Sequence, residues 1–83
     1  MAINVEVLFF AHLKECFQME KCRLSIPSGT KASEIFNFLP ECREEIDLLR
    51  RFVRVAINRK YAVEEWIIQE GDEVALIPPV TGG

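Results

Sequence analysis

The 83-residue sequence predicts a single α+β domain, in which helices cover one face of a mixed sheet, followed by a short extended tail. Three observations support this fold class. Several segments alternate apolar and polar residues as strands do, a central segment repeats apolar residues at helical spacing, and two adjacent prolines follow the last alternating segment. Hydrophobic residues make up 49% and charged residues 28%, a balance typical of folded domains rather than disordered chains.

The first two predicted elements are strands that pair with each other. Residues 3–10 alternate, and residues 10–17 could add a short helical turn. Residues 21–26 alternate as well, which predicts a half-buried strand. The connection between the two strands is short, so we expect them to be antiparallel. The side chains expected on the buried face are Ile3, Val5, Val7, Phe9, Cys22, Leu24 and Ile26.

Two helices are predicted in the middle of the chain. Thr30 follows the strand-breaking sequence at 27–29 and is expected to be the N-cap of the first helix. Pro40 should end that helix or bend it. The apolar stripe of the first helix consists of Ala32, Ile35, Phe36 and Leu39. A second short helix is predicted from the same spacing in Cys42, Ile46 and Leu49.

The last third of the sequence returns to strands. Residues 53–58 predict a third strand, which a turn at 58–60 joins to a short strand at 61–63. The segment 64–69 is ambiguous, with Trp66 and one of its two isoleucines expected to be buried. A turn at Gly71-Asp72 precedes the final strand at 73–77. This order of elements is that of a β-grasp, or ubiquitin-like, fold, with residues 1–77 as the domain and 78–83 as the tail.

Composition argues against several classes of function. The net charge is −3 and the basic residues are scattered, so the sequence lacks the basic patch that nucleic-acid binding requires. The longest apolar run, 7–11, is far too short to cross a membrane. No basic segment leads into that run, which makes a signal peptide unexpected. We therefore expect a cytoplasmic protein that binds neither nucleic acid nor membranes.

The cysteines and the single histidine do not form a recognisable site in the sequence. The sequence has an odd number of cysteines, and they are well separated: Cys16, Cys22 and Cys42. The cysteines of a disulfide framework or a metal site usually differ on both counts. We expect partly buried structural thiols, with a persulfide or thioester on one of them as the alternative. His12 has no local nucleophile or carboxylate beside it and is expected to be a surface residue. No metal is predicted.

The tail carries the strongest functional signal. Pro78 and Pro79 cannot continue a β-ladder and favour an extended backbone. Gly82 and Gly83 have no side chains and could enter a passage too narrow for a Cβ atom. A carboxylate at Gly83 could be activated as an adenylate and then accept sulfur or an amine. The alternative interpretation is a frayed chain end.

The sequence resembles the small subunits of molybdopterin synthase, a family of ubiquitin-like sulfur carriers. The resemblance lies in Val7-Leu8-Phe9-Phe10-Ala11, in Val55-Ala56-Ile57-Asn58, and in Gly71-Asp72-Glu73-Val74-Ala75 with the tail that follows. The tail is the most specific part. The segment from Glu20 to Arg51 matches the family in pattern alone.

The resemblance implies a mechanism and a set of partners. An ATP-dependent activating enzyme of the ubiquitin-activating type would adenylate the Gly83 carboxylate, and a sulfurtransferase donor would supply the sulfur for a thiocarboxylate, a 1-thioglycine. The tail would enter a pocket of the large synthase subunit and donate sulfur to a cyclic pyranopterin phosphate, which forms the molybdopterin dithiolene. The residues implied for insertion are Pro78, Pro79, Val80, Thr81 and Gly82.

The resemblance also implies how the work is divided. The chain would not be an enzyme by itself, because the large subunit would carry the pterin-binding catalytic site. The complex would be a heterotetramer of two small and two large subunits. No cofactor would be bound, and ATP would be consumed by the activating enzyme. Two alternatives remain open: a sulfur carrier for thiamine synthesis or tRNA thiolation, and a ubiquitin-like protein modifier.

The sheet face opposite the predicted core is apolar, which suggests a partner interface. Its predicted members are Leu8, Phe10, Ala56, Ala75 and Ile77, with Tyr61 at the edge. The alternative is a second small core beneath a loop.

Overall fold

The computed structural model describes residues 1–42 and 46–79, which form a mixed sheet with helices packed on one face. In these ranges the strands are β1 (Ala2–Phe9), β2 (Lys21–Pro27), β3 (Arg54–Ile57), β4 (Lys60–Tyr61) and β5 (Glu73–Ile77). The helices are α1 (His12–Phe17), a 3-10 helix (Ala32–Phe38) and α2 (Ile46–Phe52). None of these helices is long enough to span a lipid bilayer.

The sheet has the order β2-β1-β5-β3-β4, which confirms the predicted β-grasp fold. β1 is antiparallel to β2, as expected, and parallel to β5. β5 in turn is antiparallel to β3. The last strand therefore lies in the centre of the sheet beside the first. Because β5 is parallel to β1, both strands end at the same edge of the sheet, where the tail begins.

The core lies between the sheet and the helices, as the alternating pattern predicted. The rings of Phe9 on β1 and Phe17 on α1 stack with centroids 4.4 Å apart. Burial of each large apolar side chain contributes about 1.5–3 kcal/mol. The described core consists of Val5, Val7, Phe9, Leu13, Phe17, Ile26, Ile35, Phe36, Leu49, Val53, Ile57, Ile68, Val74 and Leu76.

The predicted N-cap at Thr30 is wrong. The Thr30 hydroxyl instead donates a hydrogen bond to the carbonyl oxygen of Pro27 (2.5 Å). The helix begins at Ala32, and the backbone N–H of Lys31 donates to Oε1 of Glu34 (2.8 Å). Thr30 is buried, and its carbonyl accepts the N–H of Ile68 (2.9 Å), which connects the start of the helix to a distant loop. A contact so remote in sequence has no local signature.

The end of the 3-10 helix matches the prediction. Phe38 is its last residue, and Leu39 has extended backbone angles (φ −71°, ψ 151°). Proline disfavours helical angles in the residue before it, so Pro40 explains the extended Leu39. The predicted second helix is confirmed as α2, which begins at Ile46 in the described ranges. Cys42, the first residue of the predicted spacing, is not helical, and residues 43–45 lie outside the described ranges.

A network around Asn58 positions the beginning of β5. Asn58 and Arg59 both have positive φ angles (51° and 72°), as a tight two-residue hairpin between β3 and β4 requires. The Asn58 side chain donates to Oδ1 of Asp72 (2.9 Å) and accepts the backbone N–H of Glu73 (2.9 Å). The turn and the start of β5 are therefore held together. β4 is shorter than predicted and ends at Tyr61.

The prediction that Trp66 is buried is wrong, whereas a buried isoleucine is confirmed. Trp66 is 51% exposed and Ile68 is 1% exposed. A turn over residues 63–66 directs the carbonyl of Trp66 toward the domain, where it accepts the N–H of Ala32 (2.7 Å). The backbone carbonyl of Trp66 thus accepts a hydrogen bond from the start of the 3-10 helix, while the Trp66 ring stays exposed.

Candidate functional site

The face of the sheet opposite the core carries a row of apolar residues across four strands. Leu8 on β1 lies directly opposite Ala75 on β5, and Ala75 lies opposite Ala56 on β3. Ala56 in turn lies opposite Tyr61 on β4. Directly opposed residues point to the same side of a sheet, so these four side chains form one continuous row.

Phe10 and Ile77 extend this row toward the edge where β1 and β5 end. We call the resulting surface the open face. It contains a hollow of about 430 Å³, lined by Leu8, Phe10, Ala56, Arg59, Tyr61, Glu73, Ala75 and Ile77. The structure therefore brings together every residue predicted for the partner interface. Their role in binding stays a prediction.

Small and large side chains divide the open face into a floor and a rim. Ala56 and Ala75 are nearly buried, at 4% and 7% exposure. Phe10 and Tyr61 are 42% and 66% exposed. Because aromatic side chains flank a floor of alanines, the surface is concave and offers a partner both shape and apolar area.

The charged residues around the open face were not predicted from the sequence. Arg59 and Glu73 line the hollow, with Nε and Oε1 3.9 Å apart. The Arg54 guanidinium lies over the Tyr61 ring, 5.6 Å from its centroid. Arg54 precedes Ala56 by two residues, and Glu73 precedes Ala75 by two. Strand alternation therefore predicts that Arg54 and Glu73 lie on the same side of the sheet as these two alanines.

The tail begins at the end of β5, next to the open face. β5 ends at Ile77, as predicted from the two prolines that follow. Pro78 is buried and Pro79 is exposed, so the exposed part of the described tail begins at Pro79. The tail residues Val80, Thr81, Gly82 and Gly83 lie outside the described ranges.

The thiols and the histidine occupy separate places. Cys16, Cys22 and Cys42 are all partly buried and pack against the core. Burial raises the pKa of the Cys22 thiol above its ordinary value of 9.0, so this thiol stays protonated at neutral pH. His12 is exposed. Within residues 1–42 and 46–79, histidine, cysteine and carboxylate side chains do not cluster as a metal site would need.

A β-grasp domain whose last strand passes from an apolar open face into a proline-led tail belongs to the ubiquitin-like class of small proteins. Residues 7–83 match the ThiS family, and the chain belongs to this family. The match includes the tail through Gly83. It also confirms the resemblance to ubiquitin-like sulfur carriers.

Named relatives support this assignment along the whole chain. The molybdopterin synthase sulfur carrier subunit of Arabidopsis thaliana is 30% identical, covering 99% of this chain and 85% of that protein. The protein of the same description from Drosophila ananassae is 33% identical, covering 98% and 92%. The human protein so described is 29% identical, covering 96% and 94%.

Solved structures show the same fold at lower identity. The crystal structure of small archaeal modifier protein 1 from Haloferax volcanii superimposes with a TM-score of 0.74 and covers 94% of this chain and 99% of that one. The sequence identity is 20%, so this likeness concerns the fold.

Proposed function

We propose that this chain is the sulfur-carrier subunit of a molybdopterin synthase. The observation that carries the proposal is the similarity to sulfur carrier subunits over nearly the whole chain, together with a family match that continues through Gly83. Gly83 would bear the sulfur as a C-terminal thiocarboxylate. The chain would act as the donor, and the catalytic site for the pterin would lie on the large subunit.

The proposed chemistry begins at the Gly83 carboxylate. A carboxylate is a poor electrophile, and adenylation by an ATP-dependent activating enzyme would give it a good leaving group. Sulfur released from a sulfurtransferase donor at the sulfide level, with a thiol as the reductant, would then attack the acyl carbon and expel AMP, which leaves a thiocarboxylate. Two such sulfurs, delivered to one cyclic pyranopterin phosphate, would build the molybdopterin dithiolene. ATP would be consumed by the activating enzyme, with no cofactor bound to this chain.

The relation between the open face and the tail supports this division of roles. Ile77 lies on the open face and is followed at once by Pro78 and Pro79. A large subunit seated on the open face would therefore lie beside the root of the tail. Val80 to Gly83 would extend into that subunit, and two glycines at the tip would pass where a Cβ atom would not. We further propose a heterotetramer of two small and two large subunits, working in the cytoplasm.

Intact-mass spectrometry tests the proposal directly. The purified chain is incubated with its activating enzyme, ATP and a sulfurtransferase donor, and we expect one oxygen at Gly83 to be exchanged for sulfur. Addition of the large subunit and cyclic pyranopterin phosphate should restore the original mass and yield molybdopterin. A Gly83 adenylate that accepts no sulfur and reacts with lysines to form isopeptide bonds would instead identify a protein modifier. A thiocarboxylate that never reacts with the pterin would identify another sulfur pathway.

A further inference from the structure

A second hollow, of about 560 Å³, lies between the 3-10 helix and β3, beyond the short edge strand β4. Its floor is apolar and includes Phe36, Val53, Val55 and Ala62. Arg50, Arg51 and Arg54 surround this floor, and all three are exposed. We call this hollow the arginine groove. Its three arginines outnumber the two glutamates of its lining, Glu34 and Glu64, so the groove has a small positive excess in a chain of net charge −3.

Neutral groups hold two of these arginines in place. Nη2 of Arg50 donates a hydrogen bond to Oδ1 of Asn37 (2.8 Å). Arg54 lies over the Tyr61 ring. Such contacts orient a guanidinium without cancelling its charge, and its planar donors suit a carboxylate. The carboxylates of Glu34 and Glu64 also line the groove. The Glu34 carboxylate accepts the backbone N–H of Lys31 (2.8 Å).

The arginine groove is continuous with the open face. Tyr61 lines both hollows, and its row on the sheet begins at Leu8. A protein seated on the open face would therefore reach the arginines by passing over the β4 edge. The apolar floor favours a peptide with apolar side chains between its carboxylates over a small inorganic anion.

We propose that the arginine groove binds an acidic segment of the protein that docks on the open face. The groove as an acidic-peptide site stands on its own contacts, whereas the identity of the partner rests on the proposed function. The guanidiniums would steer and orient the segment, and the partly exposed Val55 and Ala62 would contact its apolar side chains. The large subunit would then be held at two neighbouring places, one apolar and one charged.

Fluorescence anisotropy with a labelled hexapeptide of alternating glutamate and leucine tests the groove in the intact chain. We expect saturable binding that weakens as salt is raised. The double variant Arg50→Glu/Arg51→Glu should weaken it by about ten-fold or more, because each favourable charge pair becomes a repulsive one. Arg50→Gln/Arg51→Gln removes the charges without reversing them and should give a smaller loss. Circular dichroism confirms that each variant is folded.

A matched control separates local contacts from net charge. Lys21→Glu/Arg23→Glu changes the net charge by the same amount on exposed positions of β2, at the opposite edge of the sheet. It should leave the affinity unchanged within about two-fold. Equal losses in both double variants, or no saturable binding, would overturn the proposal. Complete displacement by millimolar inorganic phosphate would overturn it as well, because it would indicate a small-anion site. The assay uses neither large subunit nor thiocarboxylate, so its failure leaves the sulfur-carrier function standing.

Discussion

Phe9 and Phe10 are neighbours in the sequence but belong to two different surfaces of the molecule. Phe9 is 1% exposed and stacks on Phe17 in the core, whereas Phe10 is 42% exposed and lines the open face. Strand alternation separates the two rings. One short segment can therefore supply both the stability of the domain and the surface that remains available to a partner.

The two faces should respond differently to the same kind of change. Removal of a side chain from the core face leaves a cavity that the folded domain must accommodate. Removal of a side chain from the open face leaves no internal cavity, because water already reaches that surface. The core face should therefore control the free energy of unfolding, and the open face with its tail should control binding and transfer.

Deletion of Gly83 should produce the largest functional effect. We expect sulfur transfer to be abolished, because the deletion retracts the carboxylate by about 3.3 Å and reacting groups must be aligned. Stability should hardly change, since β5 ends at Ile77. The measurement is conversion of the pterin precursor with activating enzyme, ATP, sulfur source and large subunit.

Gly82→Ala is the milder companion to this deletion. It keeps the length and the carboxylate but adds a Cβ atom near the tip, so an intermediate loss is expected. Transfer at the normal rate without Gly83 would show that the tail is not the carrier.

Phe9→Ala should produce the largest effect on stability, about 3–5 kcal/mol, because it removes a buried aromatic ring. Phe10→Ala, the matched change on the other face, should cost less than about 1 kcal/mol. Urea unfolding monitored by circular dichroism measures both. Similar losses for the two variants would mean that the open face is a second core, and the contrast between the faces would collapse.

Sequence alone could predict most of this division, because strand alternation is local. The pattern from Ile3 to Phe10 placed the two phenylalanines on opposite faces, and the last strand was bounded by Asp72 and Pro78. Thr30 and Trp66 were predicted wrongly, since their environments depend on backbone contacts between the 3-10 helix and the loop before β5. The arginine groove could not be predicted from the sequence for a similar reason. It combines residues of separate elements that only the folded chain brings together.

Phe10→Asp and Ile77→Asp should sharpen the contrast by separating binding from folding. Each variant should weaken binding of the large subunit by roughly 2–4 kcal/mol, because a carboxylate would be desolvated at an apolar interface. The isolated domain should remain folded, since Phe10 is exposed and Ile77 is partly exposed. Calorimetry measures the binding and circular dichroism the fold. Unchanged affinity in a folded variant would show that the partner docks elsewhere.

The smallest effect is expected from Cys22, which faces the core from an edge strand and is partly buried. Burial raises the pKa of this thiol above 9.0 in the folded chain. As pH rises past the pKa of the thiol in the unfolded chain, the unfolded state loses this proton first. The contribution of the protonated thiol to stability is therefore complete below that pH and declines above it.

Cys22→Ser does not titrate in this range. The difference in unfolding free energy between the native sequence and this variant should be constant between about pH 6 and 8. Between about pH 8.5 and 10 the native sequence should lose stability relative to the variant by a measurable amount of up to about 1 kcal/mol, which is small because water reaches part of the side chain. Urea unfolding across this range measures the difference, with the serine variant cancelling the titration of every other group. A difference that stays flat up to pH 10 would mean that the thiol is as well solvated in the folded chain as in the unfolded one, and Cys22 would then belong to the exposed edge rather than to the core face.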